Sequence, residues 1–256
     1  MIMKTLLMVL FITLTGCSSV PNIPEQPEVK LNKAQKTQPT PRRLRSIPMY
    51  SRKYKIVEAA KREWIYFGQQ RVVINGDEES IPHVGIWEDD DYSHSDRINQ
   101  YWQAVGEYRL SGNDCKAPWS AAFISWIIQS AGVPKYLFPP AAAHRSYLNH
   151  FLVNAHNPYA DWIPHTIKNY KPKPGDLICA NRGQGKPTNV IEELPDSLHS
   201  KLHCDIVVET KDRTLQAIGG NVRNSVSKTI LTLSPKGYLQ FTSVRPWFLI
   251  IENRLE

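Results

Sequence analysis

From Ala121 to Ala131 nearly every position is apolar, and a run of that length that is apolar on all sides predicts a helix buried on most of them. Ser120 stands where an N-cap residue is expected, with its hydroxyl able to accept from a free N–H of the first turn. Pro118 stiffens the segment leading in, and Gly132 suits the left-handed position after the last turn. A helix upstream is predicted from Tyr54 to Phe67, where Ile56, Ala59, Ala60, Trp64 and Phe67 recur at helical spacing and Gly68 ends the run. Ile98, Tyr101, Trp102 and Val105 mark another over Asp96 to Gly106, and a fourth is expected over Ala141 to Val153.

The later half changes period. Lys173-Pro174-Gly175-Asp176 leads into a strand that starts at Leu177, and Leu202 to Glu209 and Thr214 to Gly219 read as the next two. Gly219-Gly220-Asn221 is expected to turn the chain into Val222 to Leu233, and Pro246 to Glu252 supplies a last strand. Helices first and strands after predict an α+β fold, a mostly antiparallel sheet packed on the buried helix. Side chains alternate along a strand, so His203 and Asp205 share a face and Cys204 takes the other. The polar stretch Asn181 to Lys201 is longer than most connections and is expected to be a functional loop.

The chain has 256 residues and a net charge of +7. Met1 to Gly16, with Lys4 and the apolar run Leu6 to Leu14, is too short for a permanent span and reads as a signal peptide. Val20 to Ser51 is rich in Pro, Lys and Arg, so much of the positive charge sits in a solvated tether. A tether of ~30 residues has a root-mean-square span of roughly 30 Å. Charge placed there gives no support to nucleic-acid binding. The expected division is 1–16 signal, 17–53 tether and 54–256 folded domain. Leu14-Thr15-Gly16-Cys17 resembles the lipobox of bacterial lipoproteins. That resemblance implies cleavage before Cys17 and acylation of its thiol. With Ser18 following rather than Asp, it also implies an outer-membrane location facing the periplasm. In that oxidising compartment one pair among Cys115, Cys179 and Cys204 is available for a disulfide, and the sequence does not say which. No Cys or His pair has finger-like spacing, and Glu88 to Asp91 lacks the alternating oxygens of a calcium loop, so an exposed acidic loop is expected there and neither metal nor cofactor.

Pro118-Trp119-Ser120-Ala121-Ala122-Phe123-Ile124-Ser125-Trp126 resembles the Pro-Trp-Cys-Ala-Ala-Phe-Val-Ser-Trp segment of CHAP and NlpC-type hydrolases, papain-like bacterial proteins that mostly cleave peptide or amide bonds of peptidoglycan. Ser120 occupies the position of their catalytic Cys. The strand His203 and the Gly219-Gly220-Asn221 run follow in the order of that family. The resemblance implies a papain-like fold with Ser120 as nucleophile, His203 as base and Asn221 as orienter. It also implies Trp119, His144 and Asp205 as substrate contacts, and peptidoglycan or its stem peptides as partner. A hydroxyl, unlike a thiol, must lose its proton to a neutral base during attack. Cys115 and Cys204 are displaced candidates for the nucleophile. The rival expectation is a peptidoglycan-binding or envelope-assembly lipoprotein that keeps the fold without turnover.

Overall fold

The computed structural model describes residues 51–114, 116–182, 191, 194, 198 and 201–256. The signal segment, Cys17, the tether up to residue 50, Cys115 and most of the polar loop lie outside the described residues. Helix α1 (Arg52–Tyr66) begins where the Ser51 hydroxyl accepts from the Tyr54 N–H at 3.0 Å. A hairpin follows, β1 (Arg71–Asn75) and β2 (Glu78–His83). Helix α2 (Tyr92–Ala104) starts four residues before the apolar periodicity does, because Asp91 caps it by accepting from the Ser93 and His94 N–H groups. The two remaining helices are α3 (Ser120–Ser130) and α4 (His144–Val153).

Six further strands complete one eight-stranded sheet: β3 (Trp162–Thr166), β4 (Leu177–Arg182), β5 (Lys201–Lys211), β6 (Thr214–Val222), β7 (Ser225–Thr232) and β8 (Trp247–Asn253). The order across it is β2-β1-β7-β6-β5-β4-β8-β3. The pair β1–β7 is parallel and the other neighbours are antiparallel, so the architecture is α+β with a mixed sheet. The sequence pattern gave no sign of β3, which carries Pro164. Proline is tolerated there because β3 is an edge strand. Among the described residues no helix is long and apolar enough to cross a membrane.

The sheet separates two apolar clusters. Phe123, Ile124, Ile127 and Ile128 of α3 lie in the larger one with Tyr101, Tyr147, Cys204, Ile206 and Ile218. Each of those α3 side chains is completely buried, which stabilises the fold by roughly 1.5–3 kcal/mol apiece. The smaller cluster holds Ile178, Ala180, Val207, Ala217 and Trp247, the alternate positions of the same strands, closed over by Ile167, Leu233 and Leu239. Cys179 and Cys204 are direct cross-strand partners on β4 and β5 and form a disulfide, so Cys204 is no nucleophile.

Two local expectations are corrected. Gly219-Gly220-Asn221 is not the hairpin turn. The chain turns at Arg223-Asn224, both at positive φ (53° and 59°), the conformation of a two-residue hairpin loop. Gly219 and Gly220 are glycines because of close approach. A Cβ on Gly220 would stand 2.5 Å from Phe123 and 2.6 Å from Trp119, and one on Gly219 would stand 1.7 Å from Asp205 Oδ1. Helix α3 therefore rests directly on the β6 backbone. Asn221, at φ 54°, lies in the bulge that follows. The second correction is that Ser120 is not the cap of α3. The capping position is Trp119, no side chain caps the helix, and the Ser120 hydroxyl is engaged elsewhere.

Candidate active site

Ser120 sits in the first turn of α3, where the Ser120, Ala121 and Ala122 N–H groups have no acceptor within the helix and the dipole favours negative charge. One turn on, Ser125 ties the next element to this one. Its hydroxyl donates to Ala121 O at 2.9 Å and accepts from the Ala141 N–H at 3.1 Å. Ala141 lies just ahead of α4, and this link fixes the start of α4 against the first turn of α3. The consequence is a hydrogen bond between Ser120 Oγ and His144 Nε2 at 2.7 Å. On the other side of the ring, His144 Nδ1 meets the Tyr147 hydroxyl, three residues along the same helix face. Tyr147 is in turn fixed by Phe138 and Phe151.

His203 is placed next to this chain rather than in it. Its ring centroid lies 5.7 Å from that of His144, the two planes inclined at 70°. His203 Nε2 bonds to Asp205 Oδ1 at 2.6 Å, the shared strand face the alternation predicts. The other Asp205 oxygen accepts from Thr229 Oγ1 at 3.3 Å and lies 3.6 Å from Arg245 Nη1. Arg245 also reaches Glu79, which pairs with Arg223. His203 Nδ1 is buried with no hydrogen-bond partner among the described residues.

Burial sets the charge states. Desolvation first, then the neighbouring His203 and Arg182, hold His144 well below the usual histidine range, so it is neutral at pH 7. Desolvation also lowers His203, with Asp205 pulling the other way. For Asp205 the desolvation that would raise its pKa is outweighed by His203, Arg245 and Thr229, and it stays ionised. Desolvation raises the Tyr147 phenol, which stays protonated.

Of the residues expected to form the site, Ser120, His144, His203 and Asp205 are gathered together, with Ser120 2%, His144 4% and His203 2% exposed. Ser120 and His144 line a cavity of about 530 Å³ with Pro118, Ala142 and Leu202. His203 lines a neighbouring one of about 450 Å³, and Arg182 and Asn221 border both. Asn221 makes no hydrogen bond to His203; its carbonyl accepts from Arg182 Nη2 at 2.9 Å, and Asp205 is the group that orients His203. Trp119 is in the core, its indole N–H donating to Glu88 at 2.5 Å, so it anchors the helix start rather than facing the cavity. Glu88 is thereby buried, not part of an exposed acidic loop, and desolvation raises its pKa. No group of three His, Cys, Asp or Glu side chains suited to a metal ion occurs among the described residues.

The partnership of Ser120 with His144 rather than His203 was not read from the sequence. Its only sequence signal is the His-Xaa-Xaa-Tyr spacing of His144 and Tyr147 at the start of a helix, which places both on one face. Neutral imidazole beside a hydroxyl at a helix N-terminus is an arrangement that can deprotonate the hydroxyl as it attacks.

The protein is thus an α+β protein with a buried Ser–His pair at a helix N-terminus. Residues 87–252 match the family model described as "Uncharacterized protein conserved in bacteria (DUF2272)", and the chain belongs to that family. The matched span contains Ser120, His144, Tyr147, His203 and Asp205 and leaves out α1, β1 and β2, with Glu79. No curated protein and no solved structure matches the chain.

Proposed function

We propose that this protein is a serine-type amide hydrolase of the bacterial envelope: a papain-like domain tethered to the outer membrane through a lipidated Cys17, facing the periplasm and acting on peptide or amide bonds of peptidoglycan. The observation that carries the hydrolase reading is the 2.7 Å hydrogen bond between Ser120 Oγ and a neutral His144 Nε2 at the start of α3. The envelope and the substrate rest on the lipobox and on the Pro118 to Trp126 resemblance. In this reading Ser120 Oγ attacks the carbonyl carbon while His144 Nε2 takes its proton, and the Ser120 or Ala121 N–H steadies the oxyanion. His144 then delivers the proton to the departing amine, and water hydrolyses the acyl–Ser120 ester by the same route. This reassigns the base from His203 to His144.

A second reading, a peptidoglycan-binding lipoprotein without turnover, is favoured by the near-complete burial of Ser120 and His144. One experiment separates the two. The protein is incubated with muropeptides and the products are followed by mass spectrometry. Cleavage by the wild type that falls by several orders of magnitude in Ser120→Ala supports the hydrolase. A wild type inactive on all muropeptides, with Ser120→Cys active, removes the hydrolase reading and leaves the binding one.

A further inference from the structure

Among the described residues, the cavity that holds Ser120 and His144 is bordered by Lys116, Arg145, Arg182 and Lys201 and by no carboxylate. The neighbouring cavity also has basic residues, but there Arg223 and Arg245 are matched by Glu79, at 2.6 and 3.4 Å, and Arg245 is further matched by Asp205. Arg182 belongs to both cavities and differs from those two arginines. Its guanidinium donates one Nη2 bond to the Asn221 carbonyl and forms no salt bridge among the described residues. It stands at the last residue of β4, so its backbone is fixed by the sheet while its side chain remains exposed. A guanidinium with one hydrogen bond to the described residues keeps other N–H donors in a planar fork that matches a carboxylate bidentately.

We infer that Arg182 is a specificity-determining residue, binding a free carboxylate of an acidic peptide whose amide bond lies at Ser120, with Lys116, Arg145 and Lys201 supplying the surrounding positive potential. This inference rests on the hydrolase reading for the position of the amide bond, and on the cavity alone for the recognition of the anion. An excess of positive charge beside a reacting group raises the local concentration of acidic ligands and selects against amidated ones, which offer no charge to the fork.

The test is a binding measurement, so that it does not depend on turnover. Full-length protein carrying Ser120→Ala is titrated calorimetrically with a peptidoglycan stem peptide bearing free carboxylates, and with the same peptide converted to carboxamides. The acid should bind at least about tenfold more tightly, a preference that weakens with added salt. Arg182→Gln should remove most of that preference and Arg182→Lys should keep part of it, since a point charge remains but the fork does not. Equal affinity for acid and amide, no binding of either, or a preference unchanged in Arg182→Gln would overturn the inference. Arg182-dependent binding to phosphatidylglycerol vesicles without discrimination between the two peptides would overturn it in favour of a lipid headgroup. An acid preference that depends on Arg182 in a protein whose wild type cleaves no muropeptide would uphold it while removing the hydrolase reading.

Discussion

Two buried histidines stand 5.7 Å apart in this protein, and their surroundings are built on different principles. His144 is carried by a helix and held between two hydroxyls, Ser120 and Tyr147, with no carboxylate among the described residues bonded to it. His203 is carried by a strand and held by an ionised carboxylate, which is itself tied to Thr229, Arg245 and, through Arg245, Glu79. The first arrangement is uncharged and keeps imidazole neutral beside a hydroxyl. The second is a network of charges, Asp205, Arg245, Glu79 and Arg223, each facing an opposite one. A base that must accept a proton and release it within one turnover suits the first environment, and a group that fixes the local potential and the walls of the site suits the second.

That contrast is broken most directly by removing each ring in turn. In the hydrolase reading, His144→Ala should reduce muropeptide cleavage by roughly 10³-fold or more, as loss of the base does in triad enzymes. His203→Ala should reduce it much less. The comparison is read from kcat/KM with circular dichroism confirming the fold. The reverse ranking would restore His203 as the base and leave His144 as a substrate contact. Stability should rank the other way. Asp205→Asn leaves Arg245 facing a neutral amide in the interior, which costs about 3 kcal/mol, at the low end for a broken buried pair because Arg245 keeps Glu79. Ser120→Ala loses one buried hydrogen bond, about 1 kcal/mol. Denaturant unfolding with the Cys179–Cys204 disulfide intact measures both.

The same contrast explains what was legible in the sequence. His203 and Asp205 are two apart in an apolar run, so alternation alone put them on one face, and the structure bonds them to each other. The buried helix, its Gly132 terminator at φ 79° and the main strands followed from local pattern in the same way. His144 was visible as a residue near the site but not as the partner of Ser120. That contact depends on how α4 is tied to α3 through Ser125 and Ala141, a tertiary link between segments whose own periodicity carries no trace of it. Gly219 and Gly220 were read as a turn because turns and close approaches use the same residue. Only the positions of Phe123, Trp119 and Asp205 above them distinguish the two uses. Asn221 was read as the orienter by position in a motif, whereas the orienting carboxylate came from within the histidine's own strand.

The smallest expected effect on activity concerns Tyr147, and it bears on which nitrogen of the His144 ring carries the proton. With the proton on Nδ1, donated to the Tyr147 oxygen, Nε2 is free to accept from Ser120. With Tyr147 donating to Nδ1, the proton sits on Nε2 and Ser120 is only an acceptor. The hydrolase reading requires the first form, so Tyr147→Phe, which deletes the acceptor that stabilises it, should lower kcat about tenfold with little change in KM. A rise in kcat would mean that the phenol holds the ring in the idle form, and would favour the binding reading. The pH profile sharpens the point. Because the His144 pKa lies well below 6.5, the neutral base persists as pH falls through 6.5, and the acid limb of the rate should lie beneath it in the wild type. Stability has the same sign: below pH 6.5 the unfolded chain takes up protons that the buried rings of His144 and His203 do not, so both subtract stability as pH falls. Tyr147→Phe removes a hydroxyl but no charge, so it should leave the acid limb beneath pH 6.5 while lowering the plateau. An acid limb at or above pH 6.5 in the wild type would mean that the base is a less buried group than His144.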